Sequence, residues 1–463
     1  HPRTVQTIYS TETLFGPART VAGGTRPPEV ACRVPVSARR RRPCGTPVRV
    51  IEGILARGGL FAQGNFPVAH IGTFAIYIIM ACAVIGAIAS ILDSDSSLGR
   101  EFMAGLHAIG YIIIPVAGIM AAVPYLSRFV DMAIGPVFLT VGADPAMAAT
   151  SVIAVDMGGY QLARELALST EGWIMASITG FMAGATIIFS IPVGLAMLEK
   201  SDHKYMALGI MCGILAVPVG VLVSCLVLTI MQVNVRPEIT TTGEATHLLA
   251  LTMAGVARNI GPLIVFCLVL ATFLKIFPTL MIRLFLAFGR VLYAAITLIL
   301  VFSIVEYFTG FFTWAFGGWG FAPIIADEGD KFRALEIAGY IGIMLSGAFP
   351  MVYLLQHFLE KPMERLGGRL GMSAAGTTGL LAASANVLAM FRLVKDMPPR
   401  DKVLCIAYAV CAAFMFGDHL AFSANFQPTI ILPLLLGKFS GGVTGFLIAS
   451  RLTVPEAELE TLA

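Results

Sequence analysis

The sequence predicts an all-α polytopic membrane protein with about 10–11 transmembrane or re-entrant helices. Of its 463 residues, 57% are hydrophobic and only 13% are charged, about half of the ~25% that soluble domains carry. Crossing a bilayer takes about 20 apolar residues, and runs of that length recur between Ile71 and Ser450. The simplest organisation is one transmembrane domain over residues 66–451, followed by a short C-terminal tail over residues 452–463.

Nine apolar runs are each predicted to cross the membrane once. In chain order they are residues 71–92, 104–126, 173–198, 205–231, 248–274, 291–314, 336–357, 403–422 and 426–449. Two shorter segments, residues 145–165 and 373–391, are less regular and are predicted to be broken elements. Segment 373–391 has basic connectors on both sides. A single crossing cannot join two connectors on the same side, so this segment is predicted to enter the membrane and return.

The connectors also suggest an orientation and a repeat. Short cytoplasmic connectors collect Lys and Arg, and apart from segment 373–391 the basic connectors alternate with poorly basic ones. A faint repeat pairs Gly110 with Gly339 and, further along at a shorter spacing, Asp202 with Asp401. The charge pattern gives both copies the same orientation, which predicts an internal parallel repeat. Chance likeness between apolar, Gly-rich segments is the alternative.

The N-terminal segment, residues 1–65, differs in composition from the rest of the chain. It contains ten Arg, three Glu and no Lys, and it includes no apolar run of spanning length. A secretory signal needs such an apolar stretch. We expect residues 1–65 to be an Arg- and Pro-rich tail that is disordered, or a wrongly assigned start, and to lie outside the fold.

One acidic residue stands where a bilayer disfavours charge. Asp156 lies within segment 145–165, and a charged side chain at the bilayer centre costs about 2.5–3.5 kcal/mol on insertion scales. It is followed by Gly158 and Gly159, which allow a helix to break. A carboxylate beside a broken helix in a multispanning chain indicates a binding site for a small cation. The alternative is that the carboxylate caps a helix that begins at Met157, and the two roles can coexist.

Further polar residues in the second half are candidates for the same site. Asn386 falls next to the position that the repeat pairs with Asp156. Asp418 and His419 are adjacent, and His titrates close to physiological pH. Instead of binding a cation, Asp418 and His419 could transfer protons or could form a purely structural Asp–His pair. Asn425 could hold a hydroxyl group or simply bond across helices.

Two residues in the first half complete the candidates. Glu165 is a second carboxylate on segment 145–165, although a position at the membrane interface explains it equally well. Asn259 interrupts a predicted span ahead of Gly261 and Pro262, which reads as a kink with a polar lining.

Motifs of common enzymes and pumps are absent from the sequence. There is no Gly-x-x-x-x-Gly-Lys, no His-Glu-x-x-His and no Gly-x-Ser-x-Gly, which are signatures of phosphate binding, metalloproteases and hydrolases. The eight cysteines form no Cys-x-x-Cys pair. We therefore expect no enzymatic activity, no cofactor, no metal and no nucleic-acid partner.

Several strings together resemble one known family. They are VDMGGYQLARELA (155–167), FSIPVGLAMLEKSDHKYMALGI (189–210), LEKPMERLG (359–367), GDHLAFSAN (417–425) and LGKFSGGVTG (436–445). They are similar to ethanolamine utilisation transporters, the EutH-type permeases of bacterial ethanolamine operons, in one register from about residue 71 to residue 451. The resemblance implies a multi-pass protein of the bacterial inner membrane that moves ethanolamine into the cytoplasm. It implies no ligand residues.

The chemistry of ethanolamine fits the candidate residues, because its primary amine is positively charged at neutral pH. The predicted solute-binding residues are Asp156, Asn386, Asp418 and Asn425, and the predicted pathway or proton-coupling residues are His419, Glu165 and Asn259. We expect import by alternating access, through facilitated diffusion or coupled to protons, with ethanolamine and the lipid bilayer as partners. A permease for another small cationic or polar solute and a non-transporting membrane scaffold stay open, and the sequence indicates no oligomeric state.

Overall fold

The computed structural model describes residues 70–453, which belong to one compact unit. The predicted tail over residues 1–65 and most of that over residues 452–463 lie outside the described residues. The prediction of an all-α polytopic protein is confirmed, since the described residues are almost wholly helical apart from one short antiparallel strand pair.

The elements are numbered here in chain order. The α-helices are α1 His70–Leu92, α2 Ser97–Phe129, α3 Gly135–Thr140, α4 Pro145–Thr150, α5 Gly159–Leu166, α6 Thr170–Thr179, α7 Ile191–Met197, α8 His203–Met231, α9 Met253–Ile276, α10 Pro278–Thr309, α11 Phe311–Phe316, α12 Ala334–Leu370, α13 Ala374–Ala385, α14 Val387–Val394, α15 Pro399–Ala412, α16 Asp418–Phe426 and α17 Ile431–Leu452. The strands are β1 Asn234–Val235 and β2 His247–Leu248.

Eight segments of the described residues are long and apolar enough to cross a membrane. They are Gly72–Leu92, Ser97–Thr140, Thr170–Met197, Lys200–Met231, Met253–Ile276, Pro278–Thr309, Ala334–Leu370 and Pro428–Leu452. The pair α15 and α16 adds a broken crossing, and α4–α5 and α13–α14 add two hairpins. The resulting number of elements falls within the predicted range.

Each hairpin is held together at its base by a carboxylate. At the first, Oδ2 of Asp144 accepts a hydrogen bond from the backbone N–H of Leu168, at 3.0 Å, so the start of α4 and the end of α5 lie together. At the second, Oδ2 of Asp401 accepts from the backbone N–H of Ser373, at 2.7 Å. Both hairpins therefore return to the end from which they entered.

The long elements next to the hairpins are also interrupted. Between α6 and α7 the chain winds into two π-helical turns, Gly180–Gly184 and Thr186–Ser190. Between α15 and α16 it leaves the helix altogether over residues 413–417. Such breaks free main-chain carbonyl and amide groups, which at membrane depth must find partners inside the protein.

The hairpins and their neighbours repeat at one constant interval. The helices α4 and α13 begin at positions 145 and 374, and α6 and α15 begin at positions 170 and 399, so both pairs are separated by the same length of chain. The same interval relates Asp144 to Ser373 and Gly172 to Asp401. In the first copy the carboxylate at the hairpin base, that of Asp144, belongs to the hairpin itself. In the second copy the corresponding carboxylate, that of Asp401, belongs to α15, the helix that follows the hairpin.

The two copies run in opposite directions. Nζ of Lys402 lies 2.6 Å from Oδ1 of Asp202, so α15 begins at the end of the molecule where α7 has finished. Nε2 of His247 lies 3.0 Å from Oε1 of Glu171, so α6 begins at the opposite end, beside the connector between α8 and α9. We call the end with Asp202 and Lys402 the basic end and the other the distal end.

The predicted parallel repeat is therefore wrong, and the repeat is inverted. The alternation of basic and poorly basic connectors counted segment 145–165 as one crossing, whereas α4–α5 returns to the distal end. This reverses the orientation of every element that precedes the hairpin. The connector at residues 93–96 thus shares the basic end with Lys200. The predicted pairing of Asp202 with Asp401 is also wrong, because the structural counterpart of Asp401 is Gly172. By the positive-inside rule the basic end is cytoplasmic.

Cysteine labelling can test whether the two hairpins enter the membrane from opposite sides. Leu168, at the base of the first hairpin, is 70% exposed, and Lys395, after the second, is exposed too. We expect a membrane-impermeant maleimide to label Leu168→Cys in intact cells and Lys395→Cys only after permeabilisation. The background lacks Cys32 and Cys44, since the six cysteines of the described residues are buried. Labelling of both variants from the same side would contradict the inverted arrangement.

Candidate functional site

The tips of the two hairpins and the break before α16 meet at one cavity of about 350 Å³. Its ionisable and amide lining is Asp156, Asn386, Arg392, Asp418 and His419. The rest of the wall is largely apolar and includes the rings of Tyr111, Phe189, Phe349 and Phe414. Four of the predicted site residues, far apart in sequence, thus line the same space.

Asp156 brings a carboxylate to the wall of this cavity. The residue lies in the single 3-10 turn Val155–Met157, and its side chain is 16% exposed. Its Oδ1 has no hydrogen-bond partner among the described residues. The next helix, α5, has Gly158 at its N-cap and no side-chain cap, so Asp156 does not cap it. An unpaired buried acceptor is costly, and a bound cation would remove that cost.

The turn that presents Asp156 depends on the glycine that follows it. Gly158 has φ +90°, a left-handed conformation that costs a residue with a Cβ roughly 1–2 kcal/mol. This conformation lets the chain turn from Val155–Met157 into α5, and Gly159 then begins that helix.

Asp418 and His419 approach Asp156 from the break before α16. Asp418 is the first residue of α16 and lines the same cavity as Asp156. Nε2 of His419 lies 3.9 Å from Oδ1 of Asp156, which is too long for a hydrogen bond. Neither ring nitrogen of His419 has a partner among the described residues. Its ring centroid lies 4.9 Å from that of Phe181 and 5.4 Å from that of Phe414.

Asn386 forms the tip of the second hairpin and contributes a donor. Its Oδ1 accepts a hydrogen bond from the backbone N–H of Leu388, at 2.8 Å. The group that Asn386 can offer to a solute is therefore the amide NH2 at Nδ2, which is a donor. The tip is fixed to the break, because the backbone N–H of Phe416 donates to the carbonyl of Ser384, at 2.9 Å.

A buried lysine behind this cavity is a residue that our sequence analysis missed. Lys438, in the first half of α17, has no exposed surface. Its Nζ donates to the carbonyl of Phe181, at 2.7 Å, a carbonyl within the π-helical turn after α6. The signal that could have found it is the one that found Asp156, a charge inside a predicted span.

Three predicted residues lie away from the cavity. Nδ2 of Asn425 donates to the carbonyls of Tyr340, at 2.9 Å, and Ala421, at 3.0 Å, so its amide joins α16 to α12. Oδ1 of Asn259 accepts from the backbone N–H of Asp144, at 2.7 Å, at the base of the first hairpin. Glu165 is exposed to solvent.

An aromatic layer separates the cavity from the distal end. The ring of Phe422 lies 5.3 Å from that of Tyr160 and 4.7 Å from that of Phe426, measured between centroids. The layer is fixed by hydrogen bonds: Nε1 of Trp173 donates to the carbonyl of Tyr160, and Nε2 of Gln427 donates to its hydroxyl, both at 3.0 Å. Toward the basic end, by contrast, the cavity extends from Asp156 to Arg392, and both residues line it.

The chain is similar in sequence to known proteins over most of its length. The profile of a family described as "Ethanolamine utilisation protein, EutH" matches residues 71–452. The chain belongs to the EutH family. It is 34% identical to the "Probable ethanolamine permease EutH" of Listeria monocytogenes over 382 residues, which cover 81% of this chain and 94% of that protein.

Two other relatives extend the comparison. The "Probable ethanolamine permease EutH" of Escherichia coli is 37% identical over 366 residues, covering 77% of this chain and 86% of that protein. The "Uncharacterized protein YxeR" of Bacillus subtilis is 30% identical, covering 82% and 94%. No solved structure matches the chain. With bacterial relatives and eight candidate membrane helices, the prediction of a multi-pass inner-membrane protein is confirmed.

The position of Asn425 predicts a loss of stability when its amide is removed. Asn425→Leu removes the hydrogen bonds that the amide donates to the carbonyls of Tyr340 and Ala421, so we expect destabilisation of about 0.5–1.5 kcal/mol per bond, seen as a lower melting temperature of the protein in detergent. Thr242→Ala, at an exposed position in the connector between the strands, serves as the control and should melt as the wild type does. An unchanged melting temperature for Asn425→Leu would show that this contact does not support the fold.

Proposed function

We propose that this chain is a permease that carries protonated ethanolamine into the cytoplasm, and that Asp156 receives the ammonium group. The observation that carries the proposal is the carboxylate of Asp156, which lines a cavity at the meeting point of two hairpins and has one oxygen without a hydrogen-bond partner among the described residues. The names of the Listeria and Escherichia relatives support ethanolamine as the solute.

The cavity offers a partner for each part of ethanolamine. The carboxylates of Asp156 and Asp418 supply negative charge for the ammonium. The rings of Phe189 and Phe414 line the same wall, and aromatic faces attract cations by about 0.5–2 kcal/mol. Nδ2 of Asn386 can donate a hydrogen bond to the hydroxyl oxygen. This combination favours a small cation with one polar group.

The inverted repeat supports an alternating-access mechanism. Transporters with inverted repeats place their sites near the bilayer midplane at broken helices, and one bundle moves against another around the site. Here the aromatic layer of Tyr160 and Phe422 closes the cavity toward the distal end, so the state described is closed to the outside. Release of the solute would then lead past Asn386 and Arg392 to the cytoplasm.

The proposed transport unit is the single domain of residues 66–451. A permease for another small cation would use the same cavity, and competition of labelled ethanolamine uptake by choline, serinol and amino acids distinguishes the two. A membrane scaffold would instead lose partner recruitment on deletion while ethanolamine uptake continued.

The role of Asp156 is tested by removing its charge without changing its shape. We expect Asp156→Asn to abolish uptake of labelled ethanolamine at acidic external pH, where the amine is fully protonated and leaks least through lipid. Glu165→Gln is the matched control, because it removes an exposed carboxylate from the same hairpin, and its uptake should equal that of the wild type.

Membrane expression of both variants is measured alongside uptake. Wild-type uptake by Asp156→Asn at normal expression would reject Asp156 as the ammonium-binding group. Equal losses in both variants would indicate a general effect of charge on the hairpin.

A further inference from the structure

A groove at the basic end of the molecule takes no part in the proposed solute site. It has a volume of about 380 Å³ and lies where α8, α9 and the end of α17 come together. Its charged lining residues are Lys204 and Lys275, and no acidic side chain of the described residues lines it. Most of the remaining wall is apolar. An apolar groove with two ammonium groups and no carboxylate favours an amphiphilic anion.

The lysines are the polar groups of the groove that a ligand can use. The other polar side chains of the lining are those of Thr272 and Thr453. The hydroxyl of Thr272 donates to the carbonyl of Leu268, at 2.7 Å, and that of Thr453 donates to the carbonyl of Ala449, at 3.1 Å. Both hydroxyl protons are therefore already taken by the protein's own backbone.

The groove runs along its helices from the lysines toward the membrane interior. On α8 the lining positions are 204, 207, 208, 211 and 215, which share one helix face, and on α9 they lie between 268 and 275. A rise of 1.5 Å per residue gives the groove a length of about 16 Å along α8. One leaflet supplies about 15 Å of the hydrocarbon core of a bilayer. The groove is thus as long as the layer that an acyl chain of one leaflet fills.

Both lysines lie at the level of the cytoplasmic headgroups. Lys204 is in the first turn of α8 and Lys275 in the last turn of α9, at the end that is cytoplasmic by the positive-inside rule. Lys275 is exposed and forms no ion pair or hydrogen bond with another described residue. Leu268, which also lines the groove, is 52% exposed, so the groove is open on the side that faces lipid.

We propose that this groove binds one phospholipid of the cytoplasmic leaflet that has a net negative headgroup. An acyl chain lies between α8 and α9, and the phosphate meets the ammonium groups of Lys204 and Lys275. Lysine binds phosphate as a point charge, and basic pockets between spans on the cytoplasmic side bind anionic headgroups. The lipid joins the ends of α8, α9 and α17. The proposal does not depend on which solute the cavity at Asp156 accepts.

The proposal is tested with purified, full-length protein and two lipids that share their acyl chains. Phosphatidylglycerol has a net negative charge, and phosphatidylcholine has none. We expect native mass spectrometry to show tighter binding of phosphatidylglycerol by the wild type. Lys275→Gln should weaken that binding by about fivefold and leave the affinity for phosphatidylcholine unchanged. Lys275 is the better position to change, because Nζ of Lys204 also lies 4.9 Å from the ring centroid of Tyr205.

Two control variants separate the local charge from folding and from total charge. Lys275→Arg keeps the charge and should retain the preference for phosphatidylglycerol. Lys395→Gln removes an exposed positive charge at the same end of the molecule but outside the groove, and it should bind both lipids as the wild type does. A ligand of the folded state raises the melting temperature, so phosphatidylglycerol should stabilise the wild type more than phosphatidylcholine does, and Lys275→Gln should lose that difference.

Four results would overturn the proposal. Equal affinity of the wild type for the two lipids would leave only ordinary contact with the bilayer, and unchanged binding by Lys275→Gln would remove the lysine from the site. Displacement of phosphatidylglycerol by glycerol 3-phosphate would assign the lysines to a soluble anion. Binding that requires Glu456, Glu458 and Glu460 to be changed to Gln would assign the groove to the acidic end of the chain itself. Each result leaves the proposed transport of ethanolamine intact.

Discussion

A buried carboxylate, that of Asp156, with one oxygen that has no hydrogen-bond partner among the described residues, is the constraint around which the cavity is arranged. Asp156 can be placed there only because the chain turns at Gly158, whose φ is +90°, and because the second hairpin and the break before α16 close the space around it. The surrounding wall is mostly apolar, so few protein groups there compete with a cation for the carboxylate of Asp156. The basic side chain nearest to it for which a distance is known, that of His419, has its Nε2 3.9 Å from Oδ1 of Asp156, which is too long for a hydrogen bond.

The inverted repeat explains how two hairpins reach this point from opposite ends. Each hairpin base uses one carboxylate as a clamp, Asp144 in the first copy and Asp401 in the second, and both hydrogen bonds join a main-chain N–H to the carboxylate. The chemically active groups are not repeated in the same way. At the interval that relates α4 to α13, Asp418 corresponds to Phe189, and Lys438 corresponds to Gly209. One copy thus supplies ring surface where the other supplies charge.

The helical, membrane-spanning character and the return of segment 373–391 followed from hydropathy and connector charge alone. Convergence of Asp156, Asn386, Asp418 and His419 on one cavity followed from a single rule, that ionisable and amide groups inside spans face protein or water. The direction of the repeat did not follow, because a short segment such as residues 145–165 has the same composition whether it crosses or returns. The structural role of Asn425 could not be predicted either, because hydropathy does not indicate which carbonyl a side-chain amide will hydrogen-bond. The same rule applies to Lys438, a charged residue inside the predicted span 426–449, although the sequence analysis did not apply it there.

The most direct test of the account is an experimental density map of the protein with ethanolamine bound. The account predicts that the ammonium nitrogen lies within hydrogen-bonding distance, roughly 2.7–3.2 Å, of a carboxylate oxygen of Asp156, inside the cavity that Asn386 and Asp418 also line. Density for the solute elsewhere, with both oxygens of Asp156 occupied by main-chain donors in a dry interior, would contradict it.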